Sequence, residues 1–156
     1  MGTVVFVVRI ALGLLLVVAG VLKAHDGPAA TATSIAGYRI LPPAIIAPLG
    51  IALPYGEIFL GAYLALGFFT RVAAYVAAAQ FALFSAAIAS LVVRNIPSDC
   101  GCFGSSIPTP PSWGHVAADV ALAVAAFAVA RFAPGSLALD RALGTGGTAV
   151  TQREAL

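Results

Sequence analysis

Four long apolar runs decide most of what this chain can become. Spanning 4–22, 44–69, 72–93 and 113–132, each holds about 19 to 26 residues, enough for a helix to cross a hydrocarbon core about 30 Å thick. Few charges separate them. Only 9% of the 156 residues are Asp, Glu, Lys or Arg and 61% are hydrophobic, whereas a globular domain carries about 25% charged residues. A chain so poor in polar side chains cannot cover itself against water and must face lipid. The expected fold is therefore all-α, an integral membrane four-helix bundle forming one domain over 1–133, with a Gly/Thr-rich flexible tail over 134–156. The net charge of +2 comes without the basic cluster that nucleic acid requires, so nucleic-acid binding is excluded.

The breaks between runs are chemically marked. Lys23, His25, Asp26 and the pair Gly27-Pro28 close the first run. It is read as a retained helix, because its leading residues MGTVVFVV carry no basic side chain and Arg9 interrupts the stretch, unlike a cleaved signal. Pro48 and Pro54 fall inside the second run, where proline removes a backbone donor and favours a kink. Thr70-Arg71 is read as the short link to the third run. Four crossings put both termini on one side. Arg9, Arg71, Arg131, Arg141 and Arg153 on that side oppose Lys23, Arg39 and Arg94 on the other, with Arg9 expected to snorkel outward. The bias favours cytoplasmic termini and places the first and third loops outside the cytoplasm, in a multi-pass plasma-membrane protein. Glycines 13, 20, 56, 61 and 67 are read as close-packing positions between helices, and the GTGGT of the tail lacks the lysine of a phosphate loop.

Both cysteines, Cys100 and Cys102, lie in the polar segment over 95–112, NIPSDCGCFGSSIPTPPS. A proline-stiffened loop of this length is a functional loop rather than a disordered one. Residues two apart have Cα atoms about 5.5–7 Å from each other, near the upper limit for a disulfide, so a Cys100–Cys102 bond closes a small strained ring. Gly101 lets the backbone bend into it. Such a ring removes almost no chain entropy, which disfavours a structural staple, while strained, exposed disulfides are the easily reduced, catalytic ones. A soft-metal site is the competing reading, but a closed zinc site needs four ligands and only His25 and His115 are at hand, with Met1 the single methionine. No metal is expected.

Three more polar residues fall in or beside the apolar runs. Glu57 lies about 20 Å into the second run, near mid-membrane, and at that depth a carboxyl must face the bundle interior with a partner or a proton. Asp119 lies about 9 Å into the fourth run, and His115 sits one turn earlier on the same helix face. Glu57, His115 and Asp119 thus read either as a proton path leading from the cysteines or as a structural hydrogen-bond cluster involving Arg9, Tyr55 or Gln80.

SDCGCFGS after the third run and SWGHVAADVAL opening the fourth resemble the MauE branch of the MauE/DoxX family of small four-helix membrane proteins. LPYGEIFLGAYLALGFFTR is similar to the Pro-x-x-Glu pattern of the family's second helix, and RIALGLLLVVAGVLKAHD to its first helix, the likeness covering 4–131. The resemblance implies a redox-associated protein that supports disulfide formation beside a thioredoxin-like extracytoplasmic partner, with Cys100 and Cys102 as the redox pair. Other membrane thiol oxidases relay electrons through two cysteine pairs, and this chain has one. Either a quinone or another acceptor reoxidises the pair directly, or the partner supplies the second dithiol. The reading is a membrane thiol:disulfide oxidoreductase. Its alternatives are a non-catalytic anchor or assembly subunit of a redox complex, or a soft-metal binding or transport protein; a homo-oligomer stays open.

Overall fold

The structure, a computed structural model, describes residues 2–102, 104 and 109–132. The expected tail over 134–156 lies outside the described residues, as do parts of the loop over 95–112. Five helices follow one another: α1 (Gly2–Asp26), α2 (Pro28–Gly37), α3 (Pro43–Leu66), α4 (Thr70–Val93) and α5 (Trp113–Phe132). No strand occurs among the described residues. Four of the helices, α1, α3, α4 and α5, are long and apolar enough to cross a membrane. Their apolar side chains, among them Val18, Phe59, Leu83 and Val124, point outward along the whole bundle, the surface that lipid covers.

The boundaries differ from the apolar runs for physical reasons. α1 continues one turn past Leu22 because Lys23 has a buried partner inside the bundle and Gly27, at φ 91°, ends the helix only afterwards. The first loop holds α2, ten residues begun by Pro28, about 15 Å long and too short to span. α3 runs as one helix through Pro48 and Pro54 and ends at a left-handed Gly67, φ 71°. Thr70 and Arg71 form the first turn of α4 rather than a link.

Two helix pairs make the bundle. α1 packs most closely on α3 and α4 on α5, while α1·α5 and α3·α4 touch over shorter stretches. At the α1–α3 crossing the backbones nearly meet: a Cβ on Gly13 would lie 2.7 Å from the Gly61 carbonyl oxygen, and one on Gly61 would lie 2.5 Å from that of Gly13. Small residues permit this approach where lipid supplies no hydrophobic drive between helices. Leu64, Ala73, Ala74, Ala77, Ala126, Val129 and Ala130 fill the core at the end away from the cysteines. Arg9 does not snorkel: it is 1% exposed, its guanidinium 5.4 Å from the Phe6 ring centroid, and its aliphatic stem helps fill the interior.

Candidate dithiol site

The cysteine loop leaves α4 through Arg94 and a left-handed Asn95, and three elements hold it against the bundle. From α2, the Tyr38 hydroxyl donates to the Cys100 carbonyl, and a Cβ on Gly101 would sit 3.2 Å from Ser34 Cβ. From the end of α4, Arg94 Nη1 donates to the Tyr38 carbonyl at 2.9 Å and to Ser90 Oγ at 3.2 Å. From the end of α1, the Asp26 carboxylate lies against Gly104, where a Cβ would meet Oδ2 at 2.4 Å. Gly101 and Gly104 take φ of 64° and 80°, values that side chains disfavour, and the Gly104 amide donates to the Gly101 carbonyl at 3.4 Å to close the turn carrying Cys102.

The two thiols are unlike. Cys100 is 3% exposed, its amide donates to the Thr109 carbonyl at 3.0 Å, and its Sγ lies 2.9 Å from Thr109 Oγ1. Cys102 is half-buried, and its Sγ lies 3.8 Å from the Cys100 carbonyl oxygen. Hydrogen bonds from the Cys102 thiol, the Thr109 hydroxyl and the Cys102 amide, aided by the field of His115, outweigh burial and lower the Cys100 thiol to about 5. Cys102 shifts upward, because its proton is held by Cys100 and because it is buried. Burial and the field of the two sulfurs raise the Tyr38 hydroxyl as well. Arg94 is engaged by the Tyr38 carbonyl and Ser90 Oγ, and the thiols set each other. The loop was expected to expose both sulfurs, whereas α2 covers Cys100.

Beneath the loop lies a cavity of about 220 Å³. Leu15, Leu16 and Ala19 of α1, Phe81 and Phe84 of α4 and Leu122 of α5 make its apolar walls, and Cys102, His115, Asp119 and Glu57 its polar points. Four residues singled out in the sequence thus meet around one space. Asp119 is 9% exposed and its Oδ2 has no hydrogen-bond partner among the described residues. His115 Nδ1 is 2.8 Å from Ser112 Oγ, the hydroxyl that also takes the His115 amide at 3.4 Å and caps α5.

Glu57 differs from Asp119 in being fully engaged. The Lys23 ammonium donates to both its oxygens, at 2.7 and 2.8 Å, and Gln80 Nε2 adds a third bond at 3.2 Å. Lys23 and Glu57 are 3% and 1% exposed. Of the partners expected for Glu57, Gln80 is present and Tyr55 faces outward. Lys23, counted from the sequence as a loop charge, is the principal one. Thr109 and Tyr38 also escaped sequence reading: Thr109 sits among prolines, and nothing in the sequence brings Tyr38 62 residues along the chain to Cys100. Among the described residues no three His, Cys, Asp or Glu side chains converge as a metal site, and His25 is 86% exposed, apart from the thiols.

Four spanning helices, a paired-cysteine loop clamped to one end and a polar-tipped cavity beneath it define a multi-pass membrane protein with a dithiol centre. The family model described as methylamine utilisation protein MauE matches residues 1–132, and the chain belongs to that family. The match is to the family as a whole and singles out neither a DoxX grouping nor a Cys-x-Cys branch. No curated protein and no solved structure matches the chain.

Proposed function

We propose that the protein is a membrane thiol:disulfide oxidoreductase whose Cys100–Cys102 pair faces the outside of the plasma membrane and supports disulfide formation there. The observation that carries this reading is a pair of free thiols two residues apart, one of which, Cys100, has its sulfur 2.9 Å from the Thr109 hydroxyl, a bond that favours the thiolate. A thiolate is the form that exchanges disulfides. In each cycle the oxidised pair takes two electrons from a partner dithiol, for which a thioredoxin-like extracytoplasmic protein is the proposed source, and gives them to a membrane acceptor together with the protons released.

Asp119 and His115 line the same cavity as Cys102 and are proposed to carry those protons. Glu57, tied to Lys23 and Gln80, serves as a fixed floor. The residues fit a quinone as acceptor: Phe81 and Phe84 offer ring surfaces, Leu15, Leu16 and Leu122 an apolar wall, and Asp119 Oδ2, an unsatisfied polar atom, would donate to a ring oxygen in its protonated form. When bound, a quinone would supply a two-electron, two-proton sink.

Thiol trapping in living cells tests the reading. Acid quenching followed by alkylation with a mass-tagged maleimide should find the pair divided between oxidised and reduced forms, shifting towards reduced when the acceptor pool is blocked. A pair fixed in one state under both conditions would remove the redox role and leave an anchor or assembly subunit.

A further inference from the structure

The two sulfurs stand in different places, and this difference separates their chemical tasks. Cys100 is shut in: Tyr38 holds its carbonyl, Ser34 of α2 stands against Gly101, and 3% of the residue is exposed. Thr109 reaches its Sγ at 2.9 Å. Cys102, one glycine further, is half-buried and opens onto the cavity. Resting on the thiol-exchange reading above, the structure assigns Cys102 as the sulfur that bonds the incoming partner and Cys100 as the leaving and returning thiolate, with Thr109 as the residue that stabilises it.

A partner thiolate attacks Cys102 Sγ of the oxidised pair; the Cys100–Cys102 bond breaks with its electrons passing to Cys100 Sγ, and a partner–Cys102 disulfide forms. The partner's second thiolate then attacks its own sulfur in that mixed disulfide and releases Cys102, which takes up a proton. The partner has lost two electrons and two protons; Cys102 keeps one proton, the other is released, and Cys100 remains a thiolate. Disulfide exchange is fastest when the departing sulfur is the more acidic one. Cys100 meets that condition, because the Thr109 hydroxyl and the Cys102 amide stay in place to receive the charge after the bond has broken. The other charged and titratable groups facing the pair are Tyr38 on α2, His115 and Asp119 on α5, and Lys23 on α1.

This order runs against the accessibility that two cysteines in an open loop would have, and it is testable on the full chain in membranes. Oxidised glutathione serves as probe: a thiolate attacks it, forming a protein–glutathione disulfide and releasing glutathione. Cys100→Ser, which leaves Cys102, should form the adduct at least about tenfold faster per thiolate than Cys102→Ser, which leaves the enclosed Cys100, each rate being divided by the ionised fraction read from that variant's own ultraviolet thiolate absorbance. Equal rates or the reverse order overturn the assignment while leaving the thiol-exchange reading intact. No adduct in either variant overturns both. The role of Thr109 is read separately in the Cys102→Ser background, where Cys100 is the one thiol. There the ultraviolet thiolate absorbance of Cys100 should titrate about one pH unit higher with Thr109→Val and return with Thr109→Ser. An unmoved midpoint with Thr109→Val overturns the stabilising role.

Discussion

Lys23 and Glu57 join α1 to α3 by a two-pronged ion pair with neither side chain more than 3% exposed. Each charge is tolerable there only because of the other, since an unpartnered ion in a low-dielectric interior keeps its full desolvation cost. Removing one partner should therefore hurt more than removing both. Glu57→Gln is expected to destabilise the bundle by about 3–5 kcal/mol, whereas the double change Lys23→Met with Glu57→Leu should lose far less. Thermal unfolding midpoints in one detergent compare them, and a double variant as weak as Glu57→Gln would contradict the pairing argument.

Cys100 makes a second prediction at the same scale. Hydrogen bonding holds its thiol at about 5 in the folded protein, well below an ordinary cysteine, so its charged form stabilises the reduced fold. The sign follows from linkage: a depressed value contributes stability that is complete above the free thiol's range and is lost as pH falls through about 5. The oxidised pair has no such proton. Between about pH 5 and 9, reducing the pair with two electrons thus binds one proton, retained by Cys102, and below pH 5 it binds two. The midpoint potential should fall by about 30 mV per pH unit in the upper range and about 59 mV per pH unit below pH 5. Equilibration against glutathione buffers across this range shows the break, and Thr109→Val should move it upward.

At the scale of elements, close backbone approach separates glycines that the sequence alone makes equivalent. Gly61 meets the α1 backbone, with Val17 N 2.8 Å from an added Cβ, while Gly56 has nothing within 4 Å. Gly61→Val should abolish folded protein by size-exclusion profile in detergent, and Gly56→Ala should leave it unchanged. Both lie in α3, five residues apart, and only the approach of the partner helix distinguishes the space around them.

The same limit explains what was legible. The spanning helices follow from uninterrupted apolar runs, and the cysteine pair from its confinement to one polar loop. α2 did not follow, because PAATATSIAG is neither long nor strongly apolar; its place depends on packing against Gly50 of α3, where Pro28 and Ala32 crowd an added Cβ, and on the loop that it covers. Glu57 was legible as a buried carboxyl in need of a partner. That Lys23 is the partner was not, because a lysine at the end of an apolar run looks the same whether it turns to water or inward.

At the scale of the whole molecule, four crossings put Gly2 and Phe132 at the end of the bundle opposite Cys100, and the orientation of that axis decides whether the thiols meet an oxidising or a reducing compartment. The buried positions of Lys23 and Arg9 remove one basic residue from each side of the flanking charge count. Arg39 and Arg94 remain exposed at the cysteine end, and Arg71 and Arg131 at the other. The described residues are therefore balanced, and the proposed outward placement of the cysteine loop rests on Arg141 and Arg153, which lie outside them but follow the last span in sequence. Alkaline phosphatase inserted after Asp99 of the full chain should be active and one fused after Leu156 should be inactive. Replacing Arg141 and Arg153 by Glu should produce a mixed population, seen as partial labelling of Cys102 by a membrane-impermeant maleimide in intact cells. Full activity of the Leu156 fusion in the unaltered chain would turn the thiols towards the cytosol, where the same Cys100 thiol would be kept reduced and the proposed donation of disulfides to an outer partner would be lost.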